Sequence, residues 1–483
     1  MLPPSFRLDA APEGVRPRQW QRRLIQLLRR RLERPDDRDV LVNAGPGAGK
    51  TLGTLLAFRA LQAEGRLEAL CICTHRTAIA EQWQAAAGRL GLALGDGVPA
   101  GHGLVCSYQT LARDPGPPRR RLLAHAPMDR WLLVADEVHH LGLDPEDPEG
   151  GWGFGFEGLS DGAALRVGLT GTPFRADRLG FCAARARLES DDGGCHRVIA
   201  PDLCVEPREL IASGDVRPLE FHFQDGWVDH RRGEGGGEPE ATSPLSEERR
   251  ESWRARNLRR AVALGEPGGI ARRVLAGARR ELVRLRQVDP AAAGLVVARD
   301  IDHALAIGRL LEAGGDPVQV VHSLDPEAAE TLQRFRRGEG RWLVSVDMCA
   351  EGFDAPRLRV VAYLTTVVTR SRFLQAITRA VRLDGALAAL EPVPRHPSSI
   401  HAPADPLLMA HASGWSLSAP YRLRPLPDGA DPEGDPGIGT SAVSLPLRAV
   451  ADRAGGVIAL SGPELPPFLS RRGGSVTSGQ AAG

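Results

Sequence analysis

Lys50 is the single lysine in a chain of 483 residues; every other basic side chain is Arg or His. It stands in Ala44-Gly45-Pro46-Gly47-Ala48-Gly49-Lys50-Thr51, an A-x-x-x-x-G-K-T run. Small residues such as Gly45, Gly47 and Gly49 let a backbone curl until several N–H groups converge on one anion. A helix opening at Lys50 adds the positive end of its dipole. Lys50 is then placed to reach the β- and γ-phosphates of a nucleotide, and the Thr51 hydroxyl to ligate Mg²⁺. A chain that uses Arg elsewhere keeps one compact, flexible ammonium where a phosphate loop needs it.

A second group of candidates is Asp136-Glu137-Val138-His139, directly after the apolar run 131–135. A parallel strand delivers such residues at its C-terminal edge, where open α/β sheets bind ligands. There Asp136 would hold Mg²⁺, directly or through water, and Glu137 would orient or polarise an attacking water. A third strand ends in Gly168-Leu169-Thr170-Gly171-Thr172-Pro173-Phe174-Arg175. The hydroxyls of Thr170 and Thr172 are candidates for linking a hydrolysis site to a moving neighbour.

These residues need a sheet to position them, and the hydropathy pattern supplies one. Residues 40–42 are apolar before the Gly-rich loop, and 52–61 read as a helix after it. Ahead of the loop, Leu24, Ile25, Leu28 and Leu32 share one face of a helix over 21–32. Apolar runs recur at 69–74, 104–108, 131–135 and 166–170, with helical segments between several of them. Continuous apolar strands alternating with helices indicate a parallel sheet covered on both faces. Residues 226–251, with Arg231-Arg232-Gly233-Glu234-Gly235-Gly236-Gly237-Glu238-Pro239, read as a mobile loop. A helical stretch over 254–286 follows, broken at 265–269. Strand–helix alternation then resumes at 295–298, 318–322, 342–346 and 360–364. The expected fold is α/β with two tandem units, 1–213 and 214–425, and a largely disordered, low-complexity tail over 426–483.

Composition narrows the function. Lys+Arg is 61 against Asp+Glu 60, so net charge carries no evidence for a polyanion partner, although local basic clusters can bind one. No apolar run approaches the roughly 18 residues of a membrane span. The N-terminal residues lack the pattern of a secretory signal. The seven cysteines include no C-x-x-C pair, and Cys71, Cys73, Cys106 and Cys349 lie in or beside apolar runs. That usage reads as buried thiols in a reducing cytoplasm. The spacing of Cys182, Cys195, His196 and Cys204 does not match common structural zinc sites.

Taken in order, the motifs resemble those of a family. Gln19 follows Arg16-Pro17; then come the phosphate loop, His75-Arg76-Thr77-Ala78-Ile79-Ala80-Glu81-Gln82-Trp83, Ser107-Tyr108-Gln109-Thr110-Leu111, Asp-Glu-Val-His and Leu-Thr-Gly-Thr-Pro. This looks like the first RecA-like domain of a superfamily 2 helicase of the DEAD/DEAH type. In the second half, Val344-Ser345-Val346-Asp347-Met348-Cys349-Ala350-Glu351-Gly352-Phe353-Asp354-Ala355-Pro356 is similar to motif V, and Gln375-Ala376-Ile377-Thr378-Arg379-Ala380-Val381-Arg382 to motif VI. The resemblance covers residues 16–384 and is closer to the restriction and DNA-repair branch, and to phage-defence-like bacterial helicases, than to RNA-directed proteins.

The resemblance implies an ATP-dependent nucleic-acid helicase or translocase with two RecA-like domains, ATP and Mg²⁺ as cofactors, and DNA, with RNA as the alternative, as partner. It implies that Gln19 reads adenine, that Gly352 and Asp354 touch the ribose side, and that Arg379 and Arg382 act as arginine fingers. His139 and Gln375 would couple the two domains, and Arg76, Gln109 and Arg299 would contact the nucleic-acid backbone. Thr378 stands where motif VI usually has Gly, and His75 where the family usually has Pro. Nuclease cores that need a catalytic lysine cannot be built when Lys50 is the only one. In a restriction setting, the implied partner is therefore a separate nuclease or methyltransferase subunit. The alternative is a nucleic-acid-binding ATP switch or scaffold that separates no strands.

Overall fold

The apolar runs become parallel strands because each is buried on both faces. In the computed structural model all six residues of 69–74 and all five of 131–135 are buried. The described residues are 17–34, 37–141, 150–171, 181, 187–191, 194–232, 239–346, 353, 355–383, 391–415, 421–423 and 447–462. They form two units, Met1–Glu206 with Ser418–Ala430, and Pro207–Leu417 with Asp431–Gly483.

The first unit runs α1 (Gln19–Arg31), β1 (Asp39–Ala44), α2 (Lys50–Ala63), β2 (Ala69–Thr74), α3 (Thr77–Arg89), β3 (Leu94–Asp96) and β4 (Gly103–Ser107). It continues with α4 (Tyr108–Arg113), α5 (Gly116–His125), β5 (Trp131–Ala135), α6 (Gly150–Ser160), β6 (Leu165–Thr170), β7 (Arg187–Asp191), β8 (Gly194–Ile199) and β9 (Leu203–Val205). Its sheet is parallel throughout, in the order β3-β4-β2-β5-β6-β1-β9. β7 and β8 form a small antiparallel sheet with Tyr421–Leu423. The topology brings the C-terminal ends of β1, β2, β4, β5 and β6 to one edge. On α1 the buried Trp20, Gln21, Leu24, Ile25 and Leu28 recur at helical spacing. Gly53 on α2 admits the Trp20 ring, which a Cβ there would meet at 2.9 Å.

The second unit holds α7 (Pro207–Ala212), β10 (Leu219–Arg232), β11 (Ala241–Pro244), α8 (Glu251–Ala261), α9 (Ile270–Arg286), β12 (Ala293–Ala298), α10 (Ile301–Ala313), β13 (Val318–Val321) and α11 (Ala328–Arg336). β14 (Trp342–Ser345), β15 (Leu358–Leu364), α12 (Arg370–Ile377), β16 (Ser398–Pro403), α13 (Pro406–Ser413), β17 (Tyr421–Leu423, in the first unit) and β18 (Leu447–Gly462) complete the chain. The sheet order is β11-β10-β16-β15-β12-β14-β13, with β18 also on β10. β12 to β16 and the start of β10 are parallel, which is the expected second parallel-sheet unit. Both units are consistent with tandem RecA-like domains.

Two local expectations are corrected. The segment read as a mobile loop over 226–251 is strand up to Arg232 and again over Ala241–Pro244, pairing Trp227–His230 with Ala241–Pro244; residues 233–238 lie outside the described set. Within the tail, Leu447–Gly462 is a 16-residue strand lying antiparallel along β10. Its glycines and alanines have low strand propensity, and a long partner compensates by offering a row of unpaired backbone groups. Asp452 fixes the register chemically: its carboxylate accepts from the Ile270 amide at 2.7 Å and pairs with Arg260 at 2.8 Å. A carboxylate there satisfies an orphan donor at the start of α9 and complements the positive end of the helix dipole. Removing residues 447–483 is therefore expected to lower the thermal midpoint by several degrees and to promote aggregation through the bared β10 edge. Differential scanning fluorimetry with light scattering reads both, and an unchanged midpoint would show that the strand contributes nothing.

Candidate active site

The loop between β1 and α2 is shaped by left-handed glycines, Gly47 at φ 78° and Gly49 at φ 79°. Only a residue without a Cβ adopts this conformation freely. α2 then opens at Lys50, and the Thr54 hydroxyl closes the first turn on the Lys50 carbonyl at 2.9 Å. Three side chains at the start of α1 fasten the loop from behind. Arg18 Nη1 donates to the Gly47 carbonyl at 2.5 Å, Trp20 Nε1 to Ala48 at 2.9 Å, and Gln21 Nε2 to Gly49 at 3.1 Å. Sequence reasoning named none of the three; Gln21 is fully buried, whereas Gln19 is exposed. The available signal was a buried polar position on an otherwise apolar helix face.

β6 lies between β1 and β5. Lys50 must therefore cross the end of β6 to reach the carboxylates after β5. Its Nζ stands 3.5 Å from Glu137 Oε1 and 3.3 Å from the Ala44 carbonyl. Gly171, just past β6, makes the crossing possible: a Cβ there would lie 2.4 Å from Lys50 Nζ. The obstructed atom is the tip of a flexible side chain, so the fold absorbs the change but the ammonium moves. Gly171→Ala is expected to weaken binding of a fluorescent nucleoside triphosphate about tenfold, on the scale of one displaced charged hydrogen bond, with the melting temperature held. An unaltered affinity would mean that Lys50 does not need this position.

Asp136 is anchored more tightly than any motif suggests. It is 7% exposed. Trp83 Nε1 donates to its Oδ2 at 2.7 Å, the Glu137 amide to its Oδ1 at 3.1 Å, and the Tyr108 hydroxyl to its carbonyl at 2.7 Å. Burial and the Glu137 charge push its carboxyl upward, against Lys50 and the Trp83 hydrogen bond. Glu137 sits at φ 49° and is the one non-glycine residue with positive φ among the described residues. Such strain persists where the surroundings enforce it, and it concentrates at functional sites. Burial works to raise the Glu137 carboxyl, but Lys50 and then the His139, His75 and His140 rings outweigh it and hold the group down to about 2.

His139 Nδ1 lies 3.3 Å from the Thr170 hydroxyl and 3.5 Å from Glu137 Oε2. The rings of His139 and His140 stand 4.4 Å apart, and those of His140 and His75 4.6 Å. Burial holds the His139 imidazole down to about 4, Glu137 opposing. Between 4 and the ordinary 6.5 the unfolded chain binds this proton and the folded chain does not, so stability falls as pH drops through that window. Glu137 has the same sign lower down: its contribution is present above 4.5 and is lost toward 2. Urea denaturation across this range is expected to show an acid-side loss that His139→Asn reduces between pH 6.5 and 4; an unchanged profile would remove His139 as its source.

The structure thus brings Gly45, Gly47, Gly49, Lys50, Thr51, Asp136, Glu137, His139 and Thr170 to one edge of the first sheet. Arg76 is exposed at the N-terminus of α3, and Gln109, on α4, donates to the His75 carbonyl at 3.0 Å. Thr172, Gly352 and Asp354 lie outside the described residues, as do Cys182 and the Cys195 and His196 side chains.

In the second unit Arg379 is 9% exposed and donates through Nη1 to the Phe353 carbonyl at 2.7 Å. Gln375 is on α12, and Arg382 follows within the same turn region. Thr378, where motif VI usually has Gly, takes φ −74°, a conformation open to any residue, and its hydroxyl donates to the Leu374 carbonyl at 2.5 Å. The side chain is accommodated as a helix cap. Arg299 follows β12 and donates to Asp300 Oδ2 at 2.7 Å.

Two parallel-sheet α/β units, one carrying a glycine-shaped loop beside paired carboxylates, have the architecture of tandem RecA-like domains. Residues 279–384 match the helicase conserved C-terminal domain family. An uncharacterized protein of Mycobacterium tuberculosis is 34% identical over 439 residues, 88% of this chain and 67% of the relative. One of Mycobacterium leprae is 32% identical over 423 residues, 84% and 65% of the two chains. A solved fragment described as an HsdR subunit of a type I restriction enzyme from Vibrio vulnificus matches with TM-score 0.53 at 17% identity, over 86% of this chain and 69% of that one; this likeness is one of fold. The chain belongs to one family with this uncharacterized Mycobacterium tuberculosis protein, and within it residues 279–384 carry the helicase C-terminal pattern. Among the described residues no helix is long and apolar enough to cross a membrane.

Proposed function

We propose that the protein is an ATP-dependent nucleic-acid translocase or helicase acting on DNA in the cytoplasm, with residues 1–213 as its ATP-binding domain and 214–425 as its second RecA-like domain. The observation that carries this reading is the approach of Lys50 to Glu137 at 3.5 Å over the side-chain-free Gly171. It pairs a phosphate-binding cation with a carboxylate kept ionised at neutral pH. In this reading the loop amides and Lys50 bind the β- and γ-phosphates, and Glu137 orients the attacking water and takes up its proton. The hard oxygen donors Thr51 and Asp136 suit Mg²⁺, which when bound neutralises phosphate charge. Trp83 and Tyr108 hold Asp136 rigid for that task. Arg379 and Arg382 supply positive charge that offsets the negative charge on the phosphoryl oxygens in the transition state.

His139, hydrogen-bonded to Thr170, relays the state of Glu137 to the end of β6, and Thr172 and Gln375 belong to the same coupling set. Gln19, Gly352 and Asp354 serve the base and ribose. Arg76, Gln109 and Arg299 contact the nucleic-acid backbone, which makes binding salt-sensitive and independent of sequence. A separate nuclease or methyltransferase subunit is the proposed partner. The test is the ATPase rate with single-stranded DNA, duplex DNA, RNA and no nucleic acid, alongside a strand-displacement assay. DNA stimulation supports the motor. ATP binding without stimulation by any nucleic acid overturns it.

A further inference from the structure

Three thiols meet inside the first sheet, and the nucleotide chemistry uses none of them. Cys71 and Cys73 are two residues apart on β2 and so share a face of the sheet. Cys106 on β4 is the register partner of Cys73. The Cys73 and Cys106 sulfurs are 3.7 Å apart, and all three sulfurs lie within 4.8 Å of one another. Cys71 and Cys73 are fully buried and Cys106 is 4% exposed, at the end of β4. Leu104, Tyr108, Leu111 and Leu133 belong to the same apolar cluster.

We propose that Cys71, Cys73 and Cys106 form a three-sulfur site for a single soft, monovalent metal ion, copper(I). A buried cysteine ordinarily packs as a small hydrophobe against hydrocarbon; here the sulfurs converge on one another. Three sulfurs in a plane around an ion at a bond length of about 2.3 Å stand about 4.0 Å apart, inside the observed spread. Among the described residues no fourth His, Cys, Asp or Glu ligand joins the group. Structural zinc wants four ligands, whereas soft thiolate sites of low coordination select copper(I). Each thiol that binds as thiolate releases its proton to solvent, and no change of oxidation state is involved.

The site has a mechanical link to the carboxylates. The Asp136 amide donates to the Cys73 carbonyl at 2.9 Å, and Tyr108, two residues beyond Cys106, donates to the Asp136 carbonyl. A bound ion would stiffen both strands that hold Asp136.

The test is an anaerobic titration of the full chain with copper(I) against a chromophoric copper(I) chelator. The expected result is one equivalent retained by the protein, a raised melting temperature, and X-ray absorption showing three sulfur neighbours. Cys73→Val and Cys106→Val, with their folding checked by circular dichroism, are expected to lose at least tenfold in affinity. A variant combining Cys182→Ser, Cys195→Ser, Cys204→Ser and Cys349→Ser is expected to bind as the parent does. No retention by the parent chain, binding indifferent to Cys73→Val, or binding lost in the four-site variant each overturns the proposal. The readout is metal binding, so it stands or falls separately from the proposed ATPase.

Discussion

Glu137→Gln is expected to cut nucleic-acid-stimulated ATP hydrolysis by about 10²–10⁴ while ATP binding persists, the range typical of losing a positioned general base. The substitution preserves size and hydrogen-bonding reach, so the loop is not emptied. It removes the proton acceptor and the negative charge that faces Lys50 Nζ at 3.5 Å. Without that partner Lys50 interacts with phosphate unopposed, so affinity is expected to hold or rise. The pattern to look for is a fall in kcat with KM unchanged or lowered, measured by steady-state hydrolysis beside equilibrium binding of a fluorescent ATP analogue. A kcat within about threefold of the parent would sink the assignment of Glu137 to the chemical step. Because Glu137 occupies a left-handed conformation at φ 49°, a Glu137→Gly control separates backbone strain from chemistry: glycine relieves the strain and is still expected to be inactive.

The second large effect belongs to Arg379. Arg379→Ala is expected to lower kcat by about 10³ or more, the scale on which an arginine finger acts in phosphoryl transfer. The side chain is 9% exposed and bonded to the Phe353 carbonyl, so truncation also leaves a buried acceptor short of a donor, at a cost of about 1–3 kcal/mol. Arg379→Lys resolves the two contributions. A lysine keeps charge and much of the volume but lacks the planar fork, so kcat falls while the melting temperature stays near the parent's. If both variants lose stability yet hydrolyse ATP normally per folded molecule, Arg379 is a structural residue. Arg382→Ala provides the comparison at the neighbouring motif position.

Much of the architecture could be read in advance because its signals are local. The strands at 69–74 and 131–135 match the structure to the residue, since an apolar run bounded by polar residues has few other places to go. The break at 265–269 separates α8 from α9 as its glycines suggest. The tail strand escaped notice for the opposite reason. Leu447–Gly462 has weak propensity of its own and acquires its conformation from β10, more than two hundred residues earlier in the chain. The supposed loop over 226–251 failed similarly: the register shift between Gln224 and Gly226 is an irregularity inside β10, not the end of the strand.

By itself the sequence determined the glycine-rich loop, the Asp-Glu pair, the order of the motifs and the presence of two parallel-sheet units, because each is written in contiguous residues whose chemistry is local. Only the tertiary structure decided which side chains serve them. Gly171 clears the path of Lys50, Trp83 and Tyr108 clamp Asp136, and Arg18, Trp20 and Gln21 hold the loop. Three cysteines from two strands meet for the same reason. Each of these contacts depends on which strands lie side by side and in what register, a property of the packed sheet that no short stretch of chain contains.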